Sequence, residues 1–70
     1  MAYKSGDIVA VFVNGKTEIG SILKLTRENT SNSYYDILLE RGTELNNIPG
    51  RPNKNSKMYI NKKLSKKIKI

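Results

Sequence analysis

The dipeptide Asn14-Gly15 is the feature that most narrows the folds open to this chain. A type I′ turn needs positive φ at both central residues, and Asn followed by Gly adopts that conformation readily. The residues before it, Ile8 to Val13, are rich in β-branched side chains that favour an extended backbone. We therefore predict a two-residue turn after which the chain folds back into a second antiparallel strand.

Period-two alternation recurs further along the chain, whereas helical periodicity is hard to find. A long second strand is expected over residues 17–27. Its apolar residues change parity, so we expect a bulge or sharp bend near residues 20–23. A polar loop over residues 28–33 then leads into a third strand over residues 34–41. These segments predict an all-β chain.

The carboxy-terminal part shows weaker alternation. Residues 42–57 contain both prolines and no convincing period, so they are predicted to be a long basic loop. A short fourth strand is expected over residues 58–60 and a 3₁₀ turn over residues 61–64. A last strand over residues 65–70 completes a basic carboxy-terminal turn and strand, residues 62–70. Residues 1–70 are then one small domain.

Strand alternation also predicts which side chains share the buried face. A chain of 70 residues buries a small core, so each apolar strand position matters. The expected core consists of Val9, Val11, Val13, Gly20, Ile22, Leu25, Tyr35, Ile37, Leu39, Ile60, Leu64 and Ile68.

Four short segments carry a likeness to a known fold. They are Gly6-Asp7-Ile8-Val9 at the start, Gly20-Ser21-Ile22 at the bend, Tyr35-Asp36-Ile37 in the middle strand, and Tyr59-Ile60 with Leu64 before the last strand. In this order and spacing the chain resembles the SH3-like barrel superfamily, which includes Tudor and KOW domains. The resemblance implies a five-stranded barrel with a long loop before its short fourth strand. It implies no particular function, because this fold hosts many unrelated binding roles.

The residue types needed for common catalytic chemistry are missing. The chain has neither histidine nor cysteine, so it lacks the commonest general base, the commonest zinc ligand and any thiol nucleophile. Asp36 and Glu40 share a face of the third strand but lie about 13 Å apart along it. We expect them on an ordinary solvated face. The chain is predicted not to be an enzyme and to hold no metal or other cofactor.

Positive charge is concentrated in the last 20 residues. Up to Gly50 the chain has five basic and six acidic residues, and from Arg51 onward it has eight basic residues and no acidic one. Such a block is typical of proteins that contact phosphate, although a charged, solvated tail would have the same composition. We predict that the partner is nucleic acid, DNA or RNA. Only three arginines are present, which argues against base-specific readout.

The candidate nucleic-acid-binding residues follow from this block. Phosphate contacts are assigned to Arg51, Lys54, Lys57, Lys62, Lys63, Lys66, Lys67 and Lys69. Tyr34 and Tyr59 are candidates for stacking against a base. For each tyrosine the competing interpretation is partial burial with the hydroxyl at the rim.

Two ligand sites that the resemblance suggests are not supported by the residues. A Tudor-type cage for a methylated cation needs several aromatic walls, and near the first turn the sequence offers Phe12 alone. A groove for proline-rich peptides needs clustered aromatics, whereas Tyr59 stands almost alone. Neither site is expected.

The alternative function class is a protein-interaction module. A small accessory protein could dock on an acidic protein surface or a larger complex through outward apolar residues Ile8, Phe12 and Leu38. Small lysine-rich chains without cysteine are common among phage-encoded proteins. No apolar run reaches the roughly 20 residues of a membrane span, and no signal peptide is recognised, so we expect a cytoplasmic protein with no membrane contact. The oligomeric state is left open.

Overall fold

Five antiparallel strands in a single sheet make up the regular structure of the chain. The computed structural model describes residues 3–64, in which there is no helix. The strands are β1 (Ile8–Val13), β2 (Lys16–Glu28), β3 (Ser33–Leu39), β4 (Glu44–Pro49) and β5 (Met58–Lys63). Their order across the sheet is β4-β3-β2-β1-β5. The prediction of an all-β chain is confirmed. No helix suited to crossing a membrane occurs within residues 3–64.

The first hairpin has the predicted geometry. β1 ends at Val13 and β2 begins at Lys16, which is its partner across the turn. Asn14 and Gly15 have φ values of 45° and 91°, both positive as a type I′ turn requires. The local sequence alone was sufficient to specify this turn.

β2 bends where its apolar parity changes. Its pairing with β3 shifts between Ile22 and Lys24, which leaves Leu23 as an extra residue, and shifts again between Leu25 and Arg27. The predicted irregularity near residues 20–23 is confirmed at Leu23, and the second one was not anticipated. At Gly20 the strands approach closely, because a Cβ atom there would lie 2.8 Å from Cγ2 of Ile37.

The long loop predicted over residues 42–57 is wrong in its first half. Residues Glu44–Pro49 form β4, which pairs with β3 from Leu38 to Tyr34. Leu45 and Ile48 pack in or against the core cluster, but two asparagines separate them, so the segment has too little alternation to be recognised by pattern. The segment is a strand nevertheless, because its backbone pairs with the backbone N–H and C=O groups of β3.

The segment predicted as the fourth strand is the fifth, and it is longer than expected. β5 runs on through Lys63 and Leu64 has no regular structure, so the 3₁₀ turn predicted over residues 61–64 is wrong. Lys62 pairs with Ala10 and Lys63 with Val9, with a register shift that leaves Asn61 as an extra residue. The predicted last strand, residues 65–70, lies outside the described residues.

The core lies on one face of the sheet and draws on every strand. Its buried members are Val9, Val11, Val13, Ile22, Tyr35, Ile37, Leu39, Ile48 and Ile60. Eight of these were predicted from alternation, and Gly20 is also buried as expected. Ile48 was missed because its strand was missed. Ile68 lies outside the described residues.

Two predicted core residues are not buried. Leu25 is 50% exposed, because β2 outruns β1 beyond Ser21 and only β3 flanks it there. Leu64 is half-buried and follows β5, where its N–H donates to the Ile8 carbonyl.

The sheet curls around this core without closing. Some Cα atoms of β4 and β5, the two edge strands, come within 8 Å of each other. No hydrogen-bonded ladder joins these strands within residues 3–64. The curl brings the connection after β4 close to the end of β5, and this juxtaposition creates the cleft described next.

Candidate functional site

A cleft of about 550 Å³ opens between the β2–β3 loop and the end of β5. Its volume lies within the range of small-molecule binding pockets. We call it the basic cleft, and its lining consists of Tyr3, Glu28, Asn29, Thr30, Ser31, Asn32, Ser33, Gly50, Arg51, Pro52, Asn61, Lys62 and Lys63.

Three of the predicted phosphate-binding residues meet in this cleft. Arg51 comes from the connection after β4, and Lys62 and Lys63 come from the end of β5. Glu28 is the one acid of the lining, so basic residues exceed acidic ones there by two. The Nζ atom of Lys63 lies 3.7 Å from Oδ2 of the buried Asp7, which offsets part of its charge. Arg51 and Lys62 therefore supply most of the uncompensated charge.

The walls of the basic cleft are held by specific hydrogen bonds. The Gly50 N–H donates to the Ser33 carbonyl at 2.8 Å, which seats the start of the Arg51 connection beside β3. In the β2–β3 loop, Oδ1 of Asn29 accepts from the Ser31 and Asn32 N–H groups at 2.9 and 2.8 Å. An asparagine side chain that accepts from the backbone two residues on is a common means of ordering such a loop.

Tyr3 lines the cleft and also packs against the core. Its ring meets the Tyr35 ring edge-on, with centroids 5.4 Å apart, and its N–H donates to the Tyr35 hydroxyl. Burial raises the pKa of the Tyr3 phenol. The side chain is therefore a neutral hydrogen-bonding and ring surface at physiological pH.

The remaining predicted basic residues are not gathered in the cleft. Lys57 precedes β5, about 20 Å along the strand from Lys63. It borders a second cavity of about 420 Å³ with Phe12, Asn14, Gly15 and Ser56. Lys54 lies exposed in the β4–β5 connection. Lys66, Lys67 and Lys69 lie outside the described residues.

The two predicted stacking tyrosines differ in what covers their rings. The guanidinium carbon of Arg27 lies 4.0 Å from the centre of the Tyr34 ring, so one face of that ring already has a cation against it. Tyr59 stacks on Phe12, with centroids 5.1 Å apart and ring planes 23° apart. The sequence suggested that Phe12 is the one aromatic residue near the first turn, but the structure places Tyr59 next to it. Nearly parallel rings do not form the converging walls of a cation cage.

Asp36 does not lie on a solvated face. It is 8% exposed, and its Oδ1 accepts hydrogen bonds from the Thr26 hydroxyl at 2.8 Å and the Asn47 N–H at 3.1 Å. The hydrogen bond from Thr26, followed by that from Asn47, lowers the pKa of this carboxyl. Its role is to join β2 and β4 to β3.

A second ion pair joins Arg41, just after β3, to Glu18 near the start of β2. The Arg41 guanidinium donates to both Glu18 carboxylate oxygens, at 2.8 and 3.1 Å. This hydrogen bonding lowers the pKa of Glu18 and raises that of Arg41. Within residues 3–64, no group of three or more acidic side chains is arranged to hold a metal ion.

Sequence reasoning missed the neutral part of the cleft. Tyr3, Asn61 and the Asn29 to Ser33 loop line it, yet no local pattern singles them out. The sequence analysis did not predict β4. Gly50 directly follows β4, and its hydrogen bond to Ser33 places the β2–β3 loop next to Arg51. Comparison with protein-family models, curated proteins and solved structures produced no match to the chain.

Proposed function

We propose that the protein is a non-catalytic module that binds nucleic acid through phosphate groups in the basic cleft, without strong sequence preference. The observation that carries this proposal is the meeting of Arg51, Lys62 and Lys63 from separate segments around one concave site. An arginine side chain can donate two parallel hydrogen bonds to a phosphate, and a lysine acts on it as a point charge. These three residues therefore suit contacts to the phosphate backbone of a nucleic acid better than contacts to its base edges.

The neutral lining supports the same proposal. The lining also has three asparagine amides and four hydroxyl side chains, and such groups donate to phosphate and sugar oxygens. Residues 45–64, which include most of β4 and all of β5, contain five basic residues and no acidic one, so this segment attracts a polyanion.

The fold itself is proposed to be an SH3-like barrel. Support comes from the strand order β4-β3-β2-β1-β5, in which an antiparallel meander ends with β5 returning to β1, and from the bulges that curl the sheet. Such a barrel presents its connecting loops at its ends, and the basic cleft lies among them.

The test is fluorescence anisotropy with labelled single- and double-stranded DNA and RNA, titrated in salt. We expect affinity to fall along a straight log–log line, by about 0.9 per phosphate contact for duplex DNA and 0.7 for single strands. The double variant Arg51→Glu/Lys62→Glu should lower that slope by about two contacts and weaken binding about tenfold or more near 0.15 M salt.

The matched control is Lys16→Glu/Lys24→Glu, which makes the same change in net charge at exposed β2 positions outside the cleft. We expect this variant to lose much less affinity than the cleft variant. Equal losses in both variants would attribute binding to total charge. No binding of wild type to any of the probes at low salt would exclude the proposal.

A further inference from the structure

Phe12 and Tyr59 form an aromatic pair on the face of the sheet opposite the core. They are partners in the β1–β5 register, and their neighbours Val11, Val13 and Ile60 turn the other way into the core. Both rings are half-buried, and they lie nearly parallel. An aromatic pair at this place leaves ring surface facing solvent, where a flat ligand could continue the stack.

Positive charge flanks the aromatic pair along β5. Lys57 lies two residues before Tyr59 and borders the cavity beside Phe12, while Lys62 lies three residues after it. Lys57 is about 7 Å from Tyr59 along an extended strand, and the bulge at Asn61 places Lys62, the partner of Ala10, on the same face as Tyr59. Lys62 also lines the basic cleft, so the pair and the cleft are connected along β5. A ligand with alternating flat rings and anionic groups matches this arrangement.

We infer that the Phe12–Tyr59 pair is a stacking platform for the bases of a single-stranded nucleic acid whose phosphates contact Lys57 and Lys62. The inference rests on the proposed function and adds the type of ligand. A duplex hides the faces of its bases within its own stack, so a stacking platform selects single strands. Tyr34 is not part of the platform, because Arg27 already lies against its ring.

The chain has no tryptophan, so one introduced at the platform becomes the only such fluorophore. In the full-length variant Tyr59→Trp, a single-stranded oligo(dT) of about 12 nucleotides should quench the tryptophan emission at saturation. The matched control is Tyr34→Trp, which lies outside the platform and has one ring face already occupied by Arg27, so it should be quenched much less. A hairpin duplex should quench neither variant.

A second variant measures the contribution of the ring to affinity. Tyr59→Leu keeps an apolar side chain over the sheet but removes the stacking surface. We expect its affinity for oligo(dT) to fall about tenfold, with duplex affinity changed less than about twofold. A merely structural role for the pair would lower the thermal midpoint without separating the two ligands. Should Tyr59→Leu fail to fold, the quenching of Tyr59→Trp decides.

The outcomes separate this inference from the proposal on which it rests. Wild type that binds neither single strands nor duplex at low salt overturns both. Salt-dependent binding that is lost in Arg51→Glu/Lys62→Glu, with no quenching of Tyr59→Trp and equal affinity for single strands and duplex, overturns the platform alone. Quenching by a proline-rich peptide and not by oligo(dT) assigns the pair to a protein partner and also overturns it.

Discussion

At the scale of single residues, Asp36 shows how a charged side chain holds neighbouring strands together. Its buried carboxylate accepts from Thr26 on β2 and from the backbone of Asn47 on β4. Both donors belong to irregular parts of their strands, where ladder pairing shifts. The carboxylate therefore provides hydrogen bonds at the points where the regular ladder does not.

This arrangement predicts how stability depends on pH. The pKa of Asp36 is lower in the folded chain than its ordinary value of about 3.9, so its contribution is present above that value and is lost as pH falls through the folded pKa. In Thr26→Val we expect the pKa of Asp36, measured by NMR titration, to rise towards its ordinary value. The thermal midpoint should then be less sensitive to acid. An unchanged pKa in this variant would contradict the assignment.

At the scale of elements, β4 is the strand that completes the cleft. It is a polar edge strand with one bulge. Between the pairs Tyr35–Ile48 and Ile37–Leu45, two residues of β4, Asn46 and Asn47, lie opposite one residue of β3. Asn47 lies in this bulge with a φ of 55°, in the left-handed region that asparagine and glycine tolerate best. The bulge lets Ile48 reach the core and the Asn47 N–H reach Asp36.

We expect Asn47→Ala to destabilise the fold by about 1–2 kcal/mol, because alanine pays the steric cost of the left-handed conformation. In a domain of this size each kcal/mol lowers the thermal midpoint by about 4–8 °C, which circular dichroism measures readily. Asn47→Gly is the matched control and should melt close to wild type. Equal destabilisation by both substitutions would place the role of Asn47 in its side chain.

At the scale of the whole molecule, the five strands within residues 3–64 already form one sheet with a shared core. β5 pairs with β1 and forms one edge of this sheet, and β4 forms the other. The partly buried side chains packed against the core, Tyr3, Leu45 and Met58, also lie within the described residues.

A chain ending at Leu64 is therefore expected to fold. Thermal unfolding followed by circular dichroism should stay cooperative, because the five strands and the core named above all lie within residues 3–64. Loss of the cooperative transition would show that residues 65–70 are needed to hold the sheet together, as a closing strand would be.

Features that depend on local chemistry could be predicted from the sequence. Asn14-Gly15 specified the turn, alternation specified the buried faces of β1 and β3, and the change of parity marked the bulge at Leu23. Each of these follows from the conformational preferences or side-chain pattern of neighbouring residues. They were sufficient to predict an all-β chain and most of its core.

Features that depend on residues far apart in the sequence could be seen only in the folded chain. β4 is a strand because β3 offers it hydrogen-bonding groups, and its own polar sequence does not reveal this. The same pairing places Arg51 in one cleft with Lys62, and the β1–β5 register brings Tyr59 next to Phe12. Strand pairing is non-local, so residues far apart in sequence become neighbours in ways that no local pattern records. The candidate site was therefore visible in the sequence as a block of positive charge, whereas its cleft and the neighbouring Phe12–Tyr59 pair form only in the folded chain.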